Sequence, residues 1–147
     1  MSNGTKVVKR DGSIELLDLD KMHIMVEEAC KGLGGVSASQ VEIQSGIQFY
    51  DGITTAEIQE ILIKSASDLI SVDNPNYQYV AARLLLFSVR KSLYGGIRDL
   101  PHLEQHIYSC TNIDVYDKDI FTKYSKEEID KANGFIDHSR DFLFTYA

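Results

Sequence analysis

The chain has 147 residues, which suits one domain of ordinary size, with or without a short appendage, and leaves no room for a large enzyme. Apolar residues at 44% and charged residues at 25% allow burial to offset chain entropy, so disorder is excluded as the default. With 15 basic against 22 acidic residues the net charge is -7, which repels a nucleic-acid backbone but leaves open a small anion held by a few converging donors.

Thr5 to Arg10 and Ile14 to Leu17 flank Asp11-Gly12, a dipeptide at ease with positive φ, so the chain is expected to open as a β-hairpin. Leu19, Met22, Val26, Ala29, Cys30 and Leu33 then recur at helical steps until Gly34-Gly35 stops them, predicting an amphipathic helix. Ser37 or Ser39 caps a second helix with Ile43, Ile47 and Tyr50 on one side, ending at Asp51-Gly52. Thr54 and Glu57 form a capping box, and Ile58, Ile61, Leu62, Leu69 and Ile70 continue a third helix over roughly 55–71.

Asp73-Asn74-Pro75 breaks the chain, and Tyr77 to Tyr94 is apolar on nearly every side, the pattern of a helix at the buried centre of a bundle. Beyond Gly95-Gly96 the pattern weakens to a possible helix through Ile107 and a second capping box at Ser125 and Glu128. Phe135, Ile136, Phe142, Leu143, Phe144 and Tyr146 crowd the tail with few local partners and are expected to dock onto something, as in a piece of a longer protein. The fold class read from these elements is mainly α, within α+β: a β-hairpin over a helical bundle.

Only Cys30 and Cys110 are present, with neither zinc spacing nor a disulfide framework, so a reducing compartment, the cytoplasm, is the simpler reading. No apolar run approaches the roughly 20 residues that span a bilayer. The basic residues carry the most information. A hairpin folded over a bundle would bring Lys9, Arg10, Lys21 and Lys91 to one cleft beside the backbone donors at the Thr55 helix start, forming a phosphate site. Each of these cations has the plainer reading of a solvated surface residue.

Glu15, Asp18 and Asp20 cluster after the hairpin and could hold a metal, but helix capping is the favoured role, and no metal site is assigned. His23, His102, His106 and His138 are scattered and read as surface residues. Val7, Leu17 and Met22 could enclose a purine or pin the hairpin to the first helix. No glycine-rich phosphate loop, nucleophile elbow or HExxH motif argues for catalysis.

The stretches VVKRDGSIELLDLDKMH, QFYDGITTAEIQEILIKSA and PNYQYVAARLLLFSVRKSLYG together closely resemble the ATP-cone that opens class I ribonucleotide reductase large subunits. FIDHSRDFLFTYA is similar to the helical segment leading from that cone toward the reductase barrel, and YDKDIFTKYSKEEI to the same region of several tailed-phage reductases. The resemblance implies a hairpin lid over a four-helix bundle, with a nucleotide-binding cone over residues 1–95 and a truncated helical linker over 96–147. It implies ATP or dATP as allosteric effector, with Mg2+, and no catalytic residue, because the barrel and its redox cysteines are missing and Cys30 and Cys110 do not match them.

Carried over by position, Lys9, Arg10, Thr55 and Lys91 would hold phosphates, Glu15 and Asp18 would meet adenine, and Val7, Leu17 and Met22 would line its pocket. Lys21 and Gln59 would help hold the sugar and phosphates. Asp18 stands where many relatives have Asn, and Gln59 where they commonly have His, which puts discrimination between ATP and dATP in question. The implied partners are the rest of the reductase large subunit and its small radical-generating subunit, with neither nucleic acid nor membrane. The alternative is a degenerate cone that serves as a structural or protein-interaction module without nucleotide.

Overall fold

A computed structural model describes residues 4–98 and 100–146. These form two compact units: one runs through Val89 and resumes at Asp141, and the other is Arg90–Arg140.

The first unit opens with β1 (Lys6–Val8) and β2 (Ile14–Leu16), antiparallel with Val7 opposite Glu15. Lys9 N–H donates to Ser13 O (2.8 Å) and Gly12 N–H to Lys9 O (2.9 Å), closing a three-residue loop in which Gly12 takes φ +84°, the left-handed conformation such a loop requires. Asp11 Oδ1 accepts from both Ser13 N–H (2.9 Å) and Ser13 Oγ (2.6 Å). Those bonds hold its carboxyl below the usual range.

Helix α1 (Leu19–Cys30) buries Met22, Val26 and Ala29 of the expected stripe, but Leu19 is exposed, and the helix ends at Cys30, short of Leu33 and the Gly34-Gly35 stop that the sequence suggested. Its last carbonyls find a partner from another helix: Arg83 Nη1 donates to Ala29 O (3.2 Å) and Lys31 O (2.9 Å). Helix α2 (Ala38–Gly46) is capped by Ser37, not Ser39. A short β3 (Ile53–Thr54) lies parallel to β1, giving the sheet order β2-β1-β3. Helix α3 (Thr55–Asp68) follows at once behind the expected capping box.

Helix α4 (Tyr77–Tyr94) begins in the first unit, where Tyr77, Val80, Ala81, Leu84 and Phe87 are buried. Tyr77 accepts from Ser37 N–H (3.0 Å), and Phe142 packs edge-on against Phe87 at 6.2 Å, with the Arg83 guanidinium 5.2 Å from its ring centre. The second unit holds α5 (Leu103–Asn112), α6 (Ile120–Lys123) and α7 (Lys126–Asn133), the last behind the predicted Ser125–Glu128 box. Leu103 N–H donates to Asn133 Oδ1 (2.9 Å), fastening α5 to α7. The fold is mainly α with a small sheet, as the sequence implies.

Several expectations are corrected. Helix α2 ends at Gly46 rather than at Asp51-Gly52, and its inward face is Val41 and Ser45; Ile43, Ile47 and Tyr50 are exposed. Both faces carry apolar residues, so periodicity alone could not choose between them. Helix α3 stops at Asp68, because Leu69 already closes it through N–H bonds to Ala66 O and Ser67 O. Leu85, Val89 and Leu93 leave α4 exposed along one side, so it is not enclosed all round.

Of the tail residues, Phe142 docks on Phe87, whereas Phe135, Ile136, Leu143 and Phe144 are exposed. His106 is not a plain surface residue: it lies edge-on to Tyr94 and to Tyr116. No helix among the described residues is long and apolar enough to cross a membrane.

Candidate functional site

The strand that the sequence did not announce organises the site. Because β3 runs parallel to β1, with Val7 beside Ile53 and Val8 beside Thr54, both strands leave the sheet at the same end. Lys9 and Arg10 follow β1, and Thr55 follows β3 as the first residue of α3. Two cationic residues therefore follow a strand whose parallel neighbour runs straight into a helix N-terminus, whose partial positive charge and backbone donors favour an anion. Gly52 N–H to Lys6 O (2.9 Å) and Lys6 N–H to Asp51 Oδ1 (2.8 Å) secure the approach to β3.

The capping box settles part of that helix start. Thr54 Oγ1 accepts from Glu57 N–H (3.1 Å), while Glu57 Oε2 accepts from Thr54 N–H and Thr54 Oγ1, both at 2.9 Å. These Thr54 bonds, backbone first, and a further one from the Tyr50 hydroxyl keep the Glu57 carboxyl below its ordinary range. An anion at this terminus shares it with the Glu57 charge.

Two of the cations are paired with carboxylates. Lys9 Nζ is 3.5 Å from Glu15 Oε2, and Lys21 Nζ is 3.7 Å from Asp18 Oδ2. Asp18 also caps α1 through Lys21 N–H (3.1 Å), the role favoured for it over metal binding. Both ion pairs are exposed, so each is worth about 0–1 kcal/mol. A charge-assisted bond to an oxyanion, at about 1.5–3 kcal/mol, competes with either.

Arg10 Nη2 donates to Gln59 Oε1 (3.4 Å), and Ser88 Oγ donates to the same oxygen (2.9 Å). The hairpin tip, α3 and α4 thus meet at one amide. Ser88 escaped the sequence reading, although it is the lone hydroxyl in the apolar run LLLFSV of α4, a pattern that signals a polar partner.

Val7, in the central strand β1, is buried. Leu17 and Met22 border a cavity of about 490 Å³ between the hairpin base, α1 and α2, with Ile43, Phe49, His23 and Glu42 on its other walls. Lys91 lies in the last turn of α4, in the second unit.

His23 Nδ1 is 2.7 Å from Glu42 on α2, and its Nε2 is 3.1 Å from Glu27. Its pKa is raised, first by the Glu42 hydrogen bond and charge and then by Glu27. Cys30, a free thiol, is pushed up to about 11 by burial and stays protonated at neutral pH.

The family model described as the ATP cone domain matches residues 5–92. The chain is 48% identical over 147 residues to the ribonucleoside-diphosphate reductase subunit alpha of Haemophilus influenzae and 48% identical over 147 residues to the ribonucleoside-diphosphate reductase 1 subunit alpha of Escherichia coli. It is 40% identical over 143 residues to the ribonucleoside-diphosphate reductase subunit alpha of Enterobacteria phage T4. These matches take in 100%, 100% and 96% of this chain but only 19%, 19% and 18% of the relatives, so the chain spans about a fifth of their length.

Proposed function

Since this chain belongs to the ATP-cone family, we propose that it is the nucleotide-sensing domain of a ribonucleoside-diphosphate reductase large subunit, taking ATP or dATP with Mg2+ on the phosphates. The observation that carries this reading is the parallel β1–β3 pairing, which sets Lys9 and Arg10 beside the α3 N-terminus. Phosphates there meet two side-chain cations and a helix dipole of the right sign. Arg10 supplies a planar fork, and Lys9 and Lys21 supply mobile point charges.

Glu15 and Asp18 accept from the exocyclic amine of adenine, with Leu17 and Met22 against its face. Each exchanges its lysine for the nucleotide, so ligand entry rearranges the Lys9–Glu15 and Lys21–Asp18 pairs instead of adding contacts to a vacant surface. The resemblance adds Lys91 to the family's phosphate-holding positions.

Regulation follows only from differential affinity: ATP and dATP must favour different assemblies of the large subunit with its small radical-generating subunit. The chain is then a cytoplasmic regulatory module with no reaction of its own.

Isothermal titration calorimetry with ATP and with dATP, at one salt and magnesium concentration, tests this. Micromolar binding that a Lys9→Ala, Arg10→Ala double variant abolishes supports the sensor. Absence of heat, together with an unchanged melting temperature in excess nucleotide, sinks it. The second reading, a cone retained for structure and protein contact, is favoured by the two self-neutralised pairs and takes over in that event.

A further inference from the structure

The second unit places a thiol against an imidazole. Cys110 Sγ lies 3.7 Å from Nε2 of His106, one turn earlier on α5, the contact of a nucleophile with its base. A thiol has one weak proton to give and a neutral imidazole has one good acceptor, so Cys110 S–H donates to Nε2, and Nδ1 carries the ring proton.

Neither partner is loosely held. The His106 ring stands edge-on to Tyr94 at 6.2 Å and to Tyr116 at 5.9 Å, which fixes its plane. The Cys110 carbonyl accepts from Val115 N–H (2.9 Å) and Tyr116 N–H (3.2 Å) across a turn in which Asp114 takes φ +58°. That turn brings Tyr116 back to the imidazole.

Cys110 and His106 both line a cavity of about 640 Å³, with Leu93, Leu100, Pro101 and Ile113 among its other walls. No Lys, Arg, Asp or Glu is among its described walls, so a nucleophile and its base open onto an uncharged, largely apolar space. Cys30 supplies the contrast: it lines no such cavity among those of the described residues, and burial pushes its thiol up to about 11.

We propose that Cys110 is a site of covalent modification, which takes a neutral, apolar disulfide from this cavity by thiol–disulfide exchange with His106 as its base. His106 Nε2 accepts the Cys110 proton as Sγ attacks one sulfur of R–S–S–R. The S–S bond breaks and an Sγ–S–R bond forms. The departing sulfur takes the proton from Nε2 and leaves as R–SH, so Cys110 is oxidised and the leaving half is reduced. An anionic disulfide is disfavoured twice, by the apolar walls and by the chain's net charge of -7. Every residue involved lies in the second unit, so the site stands whether or not the first unit binds a nucleotide.

The test treats the full wild-type chain with 4,4′-dithiodipyridine, a neutral aromatic disulfide, and follows initial adduct formation at each cysteine by peptide mass spectrometry, folded and in denaturant. Cys110 is expected to react at least about tenfold faster folded than denatured, the gain from a placed base and a seated reagent, and Cys30 to react more slowly folded than denatured. His106→Gln should cancel the Cys110 gain. Hydroxyethyl disulfide, neutral but without an aromatic body, should show a smaller gain than the aromatic reagent.

A Cys110 that reacts no faster folded than denatured is merely an exposed thiol, and the proposal is overturned. That comparison needs no variant, so it decides the matter even where His106→Gln fails to fold. A gain that survives in a folded His106→Gln protein removes the base, and equal gains with the two disulfides remove the cavity as the seat of the reagent.

Discussion

Arg10 at the hairpin tip donates a hydrogen bond of 3.4 Å to Oε1 of Gln59 on α3, so a cation of the hairpin rests on the helix that begins where β3 ends. The bond is long and its donor exposed, so it contributes little to stability. Replacing Arg10 by Lys keeps the charge but removes the planar fork. Nucleotide affinity should fall about 3- to 10-fold while Tm shifts by no more than about 1 °C, checked by calorimetry and a thermal melt of the same samples.

Thr54 serves β3 and the α3 cap at once, which makes it the residue whose loss is felt twice. Thr54→Ala should cost about 1 kcal/mol through the cap, a fall of about 2–4 °C in Tm for a chain of this size. Nucleotide affinity should fall with it. An affinity equal to wild type in a protein with lowered Tm would separate the cap from the anion site.

Gly12 holds φ +84° with open space where a Cβ would stand, so its requirement is conformational and not steric. Gly12→Ala should destabilise by about 1–2 kcal/mol, and Gly12→Asn, which tolerates the left-handed region, by less. Chemical denaturation of the three proteins orders them.

The face of α2 is tested by a contrast between Val41, fully buried, and Ile47, 82% exposed. Val41→Ala should cost about 2 kcal/mol and Ile47→Ala no more than about 0.5 kcal/mol. The reverse order would restore the face that the sequence pattern suggested.

His23 joins α1 to Glu42 of α2, and its raised pKa gives this link a pH dependence of known sign. The protonated form is the stabilised one, so the contribution is complete below about pH 6.5, the unfolded value, and is lost as pH rises through the higher folded value. The Tm difference between wild type and His23→Gln should therefore be largest in mild acid and shrink toward pH 8. A difference independent of pH would remove the charge from the link.

Much of this was legible from residue types alone where a single residue has a single physical use. Asp11-Gly12 announced the hairpin, and Thr54 with Glu57 and Ser125 with Glu128 announced two helix starts, because these patterns satisfy backbone donors that have no other partner. Strand β3 was not legible: two residues are too few for alternation to register, and its partner lies far away in the chain. The site suffered likewise. Lys9, Arg10 and Thr55 were visible as types, but their meeting at one sheet end depends on β3, and the pairing of Lys9 with Glu15 on β2 depends on the hairpin register.

The smallness of β3 has a kinetic meaning. The hairpin closes over a loop of three residues and forms on a microsecond scale, whereas its pairing with Ile53 and Thr54 must wait for closure of the long segment that carries α1 and α2. A ribbon joined last, through few backbone bonds, is also the one that opens first. The amide of Gly52, bonded to Lys6 O, should then exchange with solvent deuterium well before the amides in the middle of α3, marking a seam along which the hairpin parts from the bundle while both remain folded.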